Sequence, residues 1–239
     1  TGPYSMRAPI NAGDALLVYM DGHASKGSTV TVSNGATLPG LNIYAGHTIT
    51  RHDNGGSLSN ANMGTANGAY VDTDILYSVS AGNLVVTSGY WLYILAGHSY
   101  TPGGNVTASG MNNLGIFNGG SGSITVQGAL IQSAGTYTAT SGTTSISGIF
   151  TVSGGTFIHN SGSILMTSTG WRTYNIGATV LNNFTIGIPS AAVTIVGTIA
   201  VNGNLNITGG EIISGTLAVA GNVTTTHAGV AGGAMILFN

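Results

Sequence analysis

The chain of 239 residues has no cysteine. That absence excludes a disulfide framework, a thiolate zinc site and a cysteine nucleophile, so stability has to come from the fold itself. Charge is nearly as scarce: Asp, Glu, Lys and Arg make up 4% of the residues, and only four side chains are Lys or Arg. So few cations leave no basic stripe to neutralise phosphates, which argues against nucleic acid and against an anionic membrane surface. No apolar run approaches the roughly 20 residues of a membrane-spanning helix, because Ser, Thr, Asn and Gly interrupt every hydrophobic stretch, so membrane insertion is not expected. An opening Met and a signal-peptide pattern are also missing, and the expectation is a processed mature protein or a piece of a longer one.

What the chain does contain is glycine, 40 of them, with 42% hydrophobic residues. Disordered chains are charge-rich and poor in β-branched residues, so this one should fold, and its length suits one elongated domain. Its charge is uneven. After Asp74 only Arg172 and Glu211 carry one, which divides the chain into a more charged N-terminal region, 1 to 79, and a repetitive region, 80 to 239.

The repeats are visible by eye. "SGSITVQGALIQSAGTYTAT" at 121 is followed by "SGTTSISGIFTVSGGTFIHN" at 141 and "SGSILMTS" at 161. Further on, "GTIAVNGN" at 197 and "GTLAVAGN" at 215 agree at six of eight positions. Within the units, Ile124 and Val126, Phe150 and Val152, Ile199 and Val201, and Leu217 and Val219 alternate with small or polar residues. Period-two alternation bounded by Gly, Asn and Ser reads as short strands with one buried face. No window of helical length shows a convincing amphipathic pattern.

Short strands recurring every 18 to 25 residues predict an all-β chain wound as a parallel β-solenoid, each coil stacking on the next at about 4.8 Å. About a dozen coils would make a rod roughly 55 to 60 Å long. A β-sandwich is the rival architecture. The solenoid also accounts for the missing charge. A charge kept in the repeat would sit roughly 5 Å from its own copies, whereas Ser, Thr and Asn form hydrogen-bonded ladders.

Units such as "GTLAVAGNVTT", "GNLNITGGEIISG" and "NNLGIFNGGSGSITVQG" resemble the Gly-, Thr- and Asn-rich repeats of large bacterial cell-surface proteins and of filamentous-haemagglutinin-like adhesins. The resemblance covers roughly 80 to 239 and brings no catalytic motif. It implies an extracellular or cell-surface parallel β-helix serving as stalk, adhesin or fibre.

Candidate chemistry is confined to a few places. "TITRHDNGG" sets Arg51, His52 and Asp53 side by side, with Asp72 and Asp74 21 residues further on. A coil of that length would stack Arg51 on Asp72 and Asp53 on Asp74, an ion-pair cluster or a calcium site using Asp53 and Asp74. A second register competes with it. Gly-His recurs at His23, His47 and His98, and a coil of about 25 residues would build a metal ladder from His47, Asp72 and His98. Both patterns also read as plain scaffold. A β-helical polysaccharide enzyme needs converging carboxylates in a groove, and only Asp53, Asp72 and Asp74 could meet, so no catalysis is expected.

The remaining candidates are contacts. In "GYWLYIL" both strand faces are bulky, and Trp91 and Tyr93 could meet a loop, a subunit or a glycan. "GWRTYNIG" interrupts the repeat spacing and should loop out with Trp171. Thr pairs at Thr29/Thr31, Thr136/Thr138 and Thr224/Thr226 raise an ice-binding reading but are scattered. The chain finishes in "AGGAMILFN", where Met235, Ile236, Leu237 and Phe238 form a bare apolar strand. A strand of that kind suits docking on the Pro-interrupted N-terminal segment of a second copy, giving a head-to-tail homopolymer.

Overall fold

The computed structural model describes residues 9–68, 72–226 and 233–239. It is a parallel β-solenoid of about ten turns, close to 50 Å long at a rise of about 4.8 Å per coil. The chain enters as an antiparallel hairpin, β1 (Ala12–Tyr19) and β2 (Ser28–Asn34). Then come β3 (His47–Thr50), β4 (Ser57–Leu58), the helix α1 (Asn60–Asn67), and a second antiparallel hairpin of β5 (Tyr77–Ser80) and β6 (Asn83–Val86).

From there the coils are regular, three strands to each. They are β7 (Trp91–Ile94), β8 (Ser99–Tyr100) and β9 (Val106–Ala108); β10 (Gly110–Asn113), β11 (Ile116–Asn118) and β12 (Ile124–Val126); β13 (Leu130–Gln132), β14 (Thr136–Thr138) and β15 (Thr143–Ile146); and β16 (Phe150–Val152), β17 (Thr156–Ile158) and β18 (Ser163–Met166). After β19 (Arg172–Asn175) and β20 (Val180–Leu181), the strands lengthen and bend around the corners as β21 (Asn183–Val201) and β22 (Leu205–Val219). β23 (Val223–Thr225) and β24 (Gly233–Phe238) close the series.

Three faces result. The first runs β2, β3, β7, β10, β13, β16 and β19. The second is β4, β8, β11, β14 and β17. The third runs β6, β9, β12, β15, β18 and then the starts of β21, β22 and β23. Register follows the repeat, with Leu130 beside Phe150, Ile124 beside Thr144 and Thr136 beside Thr156. The alternating residues point inward, and Val106, Ile124, Ile146 and Met166 are fully buried.

The expected polar ladders are present along the outside. The Oδ1 of Asn83 accepts from the backbone N–H of Asn105 at 3.0 Å, and that of Asn105 from Ser123 at 2.7 Å. Asn183, Asn204 and Asn222 repeat the arrangement. Hydroxyls pair across coils as well: Ser28 with Thr48, Ser57 with Ser99, Ser147 with Thr167. Each such bond satisfies a polar group that stacking would otherwise leave idle.

Two expectations need correction. The coil count is about ten because an excursion between β4 and β6, carrying α1 and β5, leaves the winding path, so β7 stacks directly on β3 and His47 lies beside Trp91. A helix also exists where no helical pattern is legible. α1 begins with a capping box in which Ser59 Oγ accepts from Asn62 N–H at 3.2 Å and Asn62 Oδ1 from Ser59 N–H at 3.0 Å. Its sequence, NANMGTAN, has little helix propensity. Tertiary contacts hold it: Met63 is fully buried, Tyr77 donates to the Met63 carbonyl at 3.0 Å, and the Asn60 amide donates to Gly82 O at 2.7 Å. Packed against β1, β2 and β5, α1 covers the N-terminal end of the core.

Candidate functional site

Arg51 and Asp53, just after the end of β3, pair with each other. Arg51 Nε donates to Asp53 Oδ2 at 2.8 Å, its Nη2 donates to Oδ1, and its remaining N–H groups reach Gly40 O at 2.7 Å and Pro39 O at 3.3 Å. Thr31 completes the set by donating to Asp53 Oδ2 at 2.6 Å. Burial pushes the Asp53 carboxyl up, but the Arg51 and Thr31 hydrogen bonds and the Arg51 charge outweigh it and hold it below the usual carboxylate range. The group staples the 35 to 46 loop to the coil. The expected stacking of Arg51 on Asp72 and Asp53 on Asp74 does not occur, because β3 is followed in the stack by β7.

Asp72 and Asp74 instead meet Asp21, with one carboxylate oxygen from each within 4.8 Å of the others. Asp72 and Asp74 have partners of their own. Lys26 Nζ lies 2.7 Å from Asp74 Oδ1 and donates to Thr73 O at 2.9 Å; Gly22 N–H donates to Asp74 at 2.6 Å, and Tyr19 OH to Asp72 at 2.9 Å. The Lys26 hydrogen bond, followed by that from Gly22, lowers the Asp74 pKa, and the Lys26 pKa is raised in return. This arrangement ties the β1–β2 turn to residues 72 to 74. Asp53 is engaged elsewhere and is no part of it.

The histidine ladder is not formed. His23 bonds locally with Ser25, His47 lies against Trp91, and His98 Nδ1 faces the backbone of His52 at 3.2 Å. Burial lowers the His52 pKa, with Asp53 pulling the other way.

An aromatic cluster faces outward on the side of the rod. Tyr44, His47, Trp91 and Tyr93 touch ring to ring, the Tyr44–Tyr93 and His47–Tyr93 pairs edge-on at 5.5 and 5.8 Å. Leu92 and Ile94 point into the core, while Trp91 and Tyr93 are half-buried under the loop that carries Tyr44. The Trp91 indole lies over Gly110 so closely that a Cβ there would fall 2.4 Å from the ring. Of the segment expected to loop out, only Gly170 and Trp171 do so, Trp171 being 72% exposed; Arg172–Asn175 form β19, with Tyr174 buried beside Phe150 because its inward position continues the first face. At the C-terminal coil, Ile236 and Phe238 continue the inward columns of Leu217 and Val219, yet Phe238 is 73% exposed. The N-terminal segment named as its docking partner lies in part outside the described residues, from Thr1 to Ala8.

No family model, curated protein or solved structure matches the chain. Its functional reading therefore rests on its own geometry.

Three features were missed in the sequence. One is α1. Another is an interior aromatic column, Tyr100, Phe117, Tyr137 and Phe157, with ring centroids 5.9, 4.6 and 5.5 Å apart. Its signal was present, an aromatic residue recurring at 17 to 20 positions, but it requires the second face to be recognised. The third is the row of outward hydroxyl and amide groups on the third face, Thr107, Thr125, Ser145, Thr185 and Asn206, interrupted by Leu165. The Thr pairs noted in the sequence lie on three different faces and build no common array.

Proposed function

We propose that the chain is a structural rod of an extracellular or cell-surface assembly, joined end to end through the coil that contains β24. The observation that carries this reading is the contrast between the ends. Among the described residues, α1 and two antiparallel strands cover the N-terminal end, whereas β24 is paired on one edge, to β22, and leaves Phe238, at an inward position, 73% exposed. Free edges and uncovered core residues invite a further strand. The edge of β1 on a second copy is the complementary partner, and a head-to-tail contact of that kind propagates into a filament. Scarcity of charge supports association, since little repulsion opposes it. The likeness of the repeats to haemagglutinin-like adhesin repeats supports the surface location.

Sedimentation across a concentration series, paired with electron microscopy, tests the reading. Association into filaments that Phe238→Glu abolishes is the expected result. A monomer at every concentration, or association indifferent to that substitution, overturns it. A second reading, an adhesin for neutral glycans, is supported by the Tyr44, His47, Trp91 and Tyr93 cluster, since sugars stack on aromatic rings. Glycan binding that Trp91→Ala abolishes would promote it, and a blank glycan array would remove it.

A further inference from the structure

Asparagine followed by glycine occurs five times, at Asn34, Asn54, Asn67, Asn118 and Asn202. In such a pair the glycine nitrogen can attack the preceding side-chain amide, because no Cβ shields it and glycine admits the backbone angles that ring closure requires. The nitrogen has to be free. A glycine N–H committed to a hydrogen bond must break that bond before it can react.

Four of the five are held. Gly35 N–H donates to Ser33 Oγ at 2.9 Å, and Gly68 N–H to Gly64 O at 3.0 Å in the cap of α1. Gly119 N–H donates to Thr138 O at 2.9 Å and Gly203 N–H to Asn182 O at 2.8 Å, both on a neighbouring coil. Three of these asparagines are also the last residues of elements, Asn34 of β2, Asn67 of α1 and Asn118 of β11. Asn34 is fixed further, since its Oδ1 accepts from Ala36 N–H at 2.9 Å.

Asn54 differs on each count. It is exposed, in the turn between β3 and β4. Neither its side chain nor the Gly55 N–H has a hydrogen-bond partner among the described residues. Apart from its chain neighbours, nothing lies within 4 Å of the place a Gly55 Cβ would take. Gly55 is at φ +71°, and Gly56 follows it, so the turn can rearrange without a steric penalty. The backbone on either side is anchored: Asp53 N–H donates to Val32 O at 2.9 Å, and Gly56 N–H to His52 Nδ1 at 3.0 Å. The free dipeptide is the reactive one.

We propose that Asn54 is a self-modification site, converted to a carboxylate by its own neighbour. The Gly55 nitrogen bonds to Asn54 Cγ, the Cγ–Nδ2 bond breaks, and the Gly55 amide proton leaves with Nδ2 as ammonia. Water then opens the cyclic imide at either carbonyl and leaves an aspartyl or an isoaspartyl linkage. The only co-reactant is water. The product sets a second carboxylate next to Asp53 in a chain with six acidic residues in all, and the isoaspartyl form adds a backbone atom between β3 and β4. The site depends on neither the rod nor the glycan reading.

The test is incubation of the intact protein at mildly alkaline pH, followed by digestion and mass spectrometry of the five Asn–Gly peptides. In the folded protein Asn54 should gain the amide-to-acid mass increment roughly fivefold or more faster than any of the other four, the factor for one hydrogen bond kept. The same incubation in denaturant should bring the five rates together, since each site is then the same dipeptide in an open chain. Asn54→Gln should leave the circular-dichroism spectrum unchanged and remove the early release of ammonia, because the longer side chain closes its ring far more slowly. Conversion of Asn34, Asn67, Asn118 or Asn202 as fast as Asn54 in the folded protein would overturn the proposal. So would an Asn54 that stays an amide while the denatured chain converts, or early ammonia release that persists in Asn54→Gln.

Discussion

Single residues in this protein are decided by whether a polar atom, once wound into the core, finds a partner. Tyr100 and Tyr174 are both buried inward tyrosines. The Tyr100 hydroxyl donates to Asn60 Oδ1 and so links the core to α1. The Tyr174 hydroxyl has no partner. Tyr100→Phe should therefore lower stability by about 1–3 kcal/mol, because it strands the Asn60 oxygen, whereas Tyr174→Phe removes an unpaired group and should be neutral or stabilising. Urea denaturation midpoints of the two variants check this, and an equal loss in both would refute it. Arg51 and Asp53 belong to the same scale. They were legible as a charged pair, but their partners on the 35 to 46 loop and in β2 were not.

At the scale of the element, each strand is short, and its neighbours one coil away set what it can carry. Gly110 illustrates the constraint. It stands beside Trp91 in the ladder, and only the absence of a Cβ lets the indole lie flat over it. Gly110→Ala should push the ring outward, shift tryptophan emission to the red and cost about 1–3 kcal/mol as an overpacking defect. Unchanged emission and stability would show that the contact is loose. Strands of alternating residues were readable in the sequence because their period is two and survives any tertiary context. α1 was not, since its low-propensity residues are helical only where Met63 and Asn60 find the end of the core.

Over the whole molecule, one continuous core runs the length of the rod, and buried tyrosines are spread along it. Burial pushes Tyr77, Tyr100, Tyr137 and Tyr174 well above the usual phenol range. A folded pKa raised above the unfolded value of about 10 contributes stability that is complete below that pH and is lost as pH rises past it. The rod should therefore unfold cooperatively in alkali above about pH 10. Tyrosinate absorbance from these four groups should grow in step with the loss of the β circular-dichroism signal. Ionisation of every tyrosine while that signal persists would show that the core admits solvent.

The sequence by itself determined the solenoid, its coil length and its polar ladders, because a repeat of about 20 residues with period-two strands has few other ways to bury one face and pair every backbone group. It also determined that the surface would be nearly uncharged. Only the tertiary structure decided which coils are neighbours. The excursion between β4 and β6 steps out of the winding, so Asp72 and Asp74 meet Asp21 and Lys26 rather than Arg51 and Asp53, and His47 meets Trp91 rather than His98. The physical reason is that register along a solenoid is a running sum of coil lengths. One excursion that leaves the stack, or one coil a few residues longer, resets every contact beyond it.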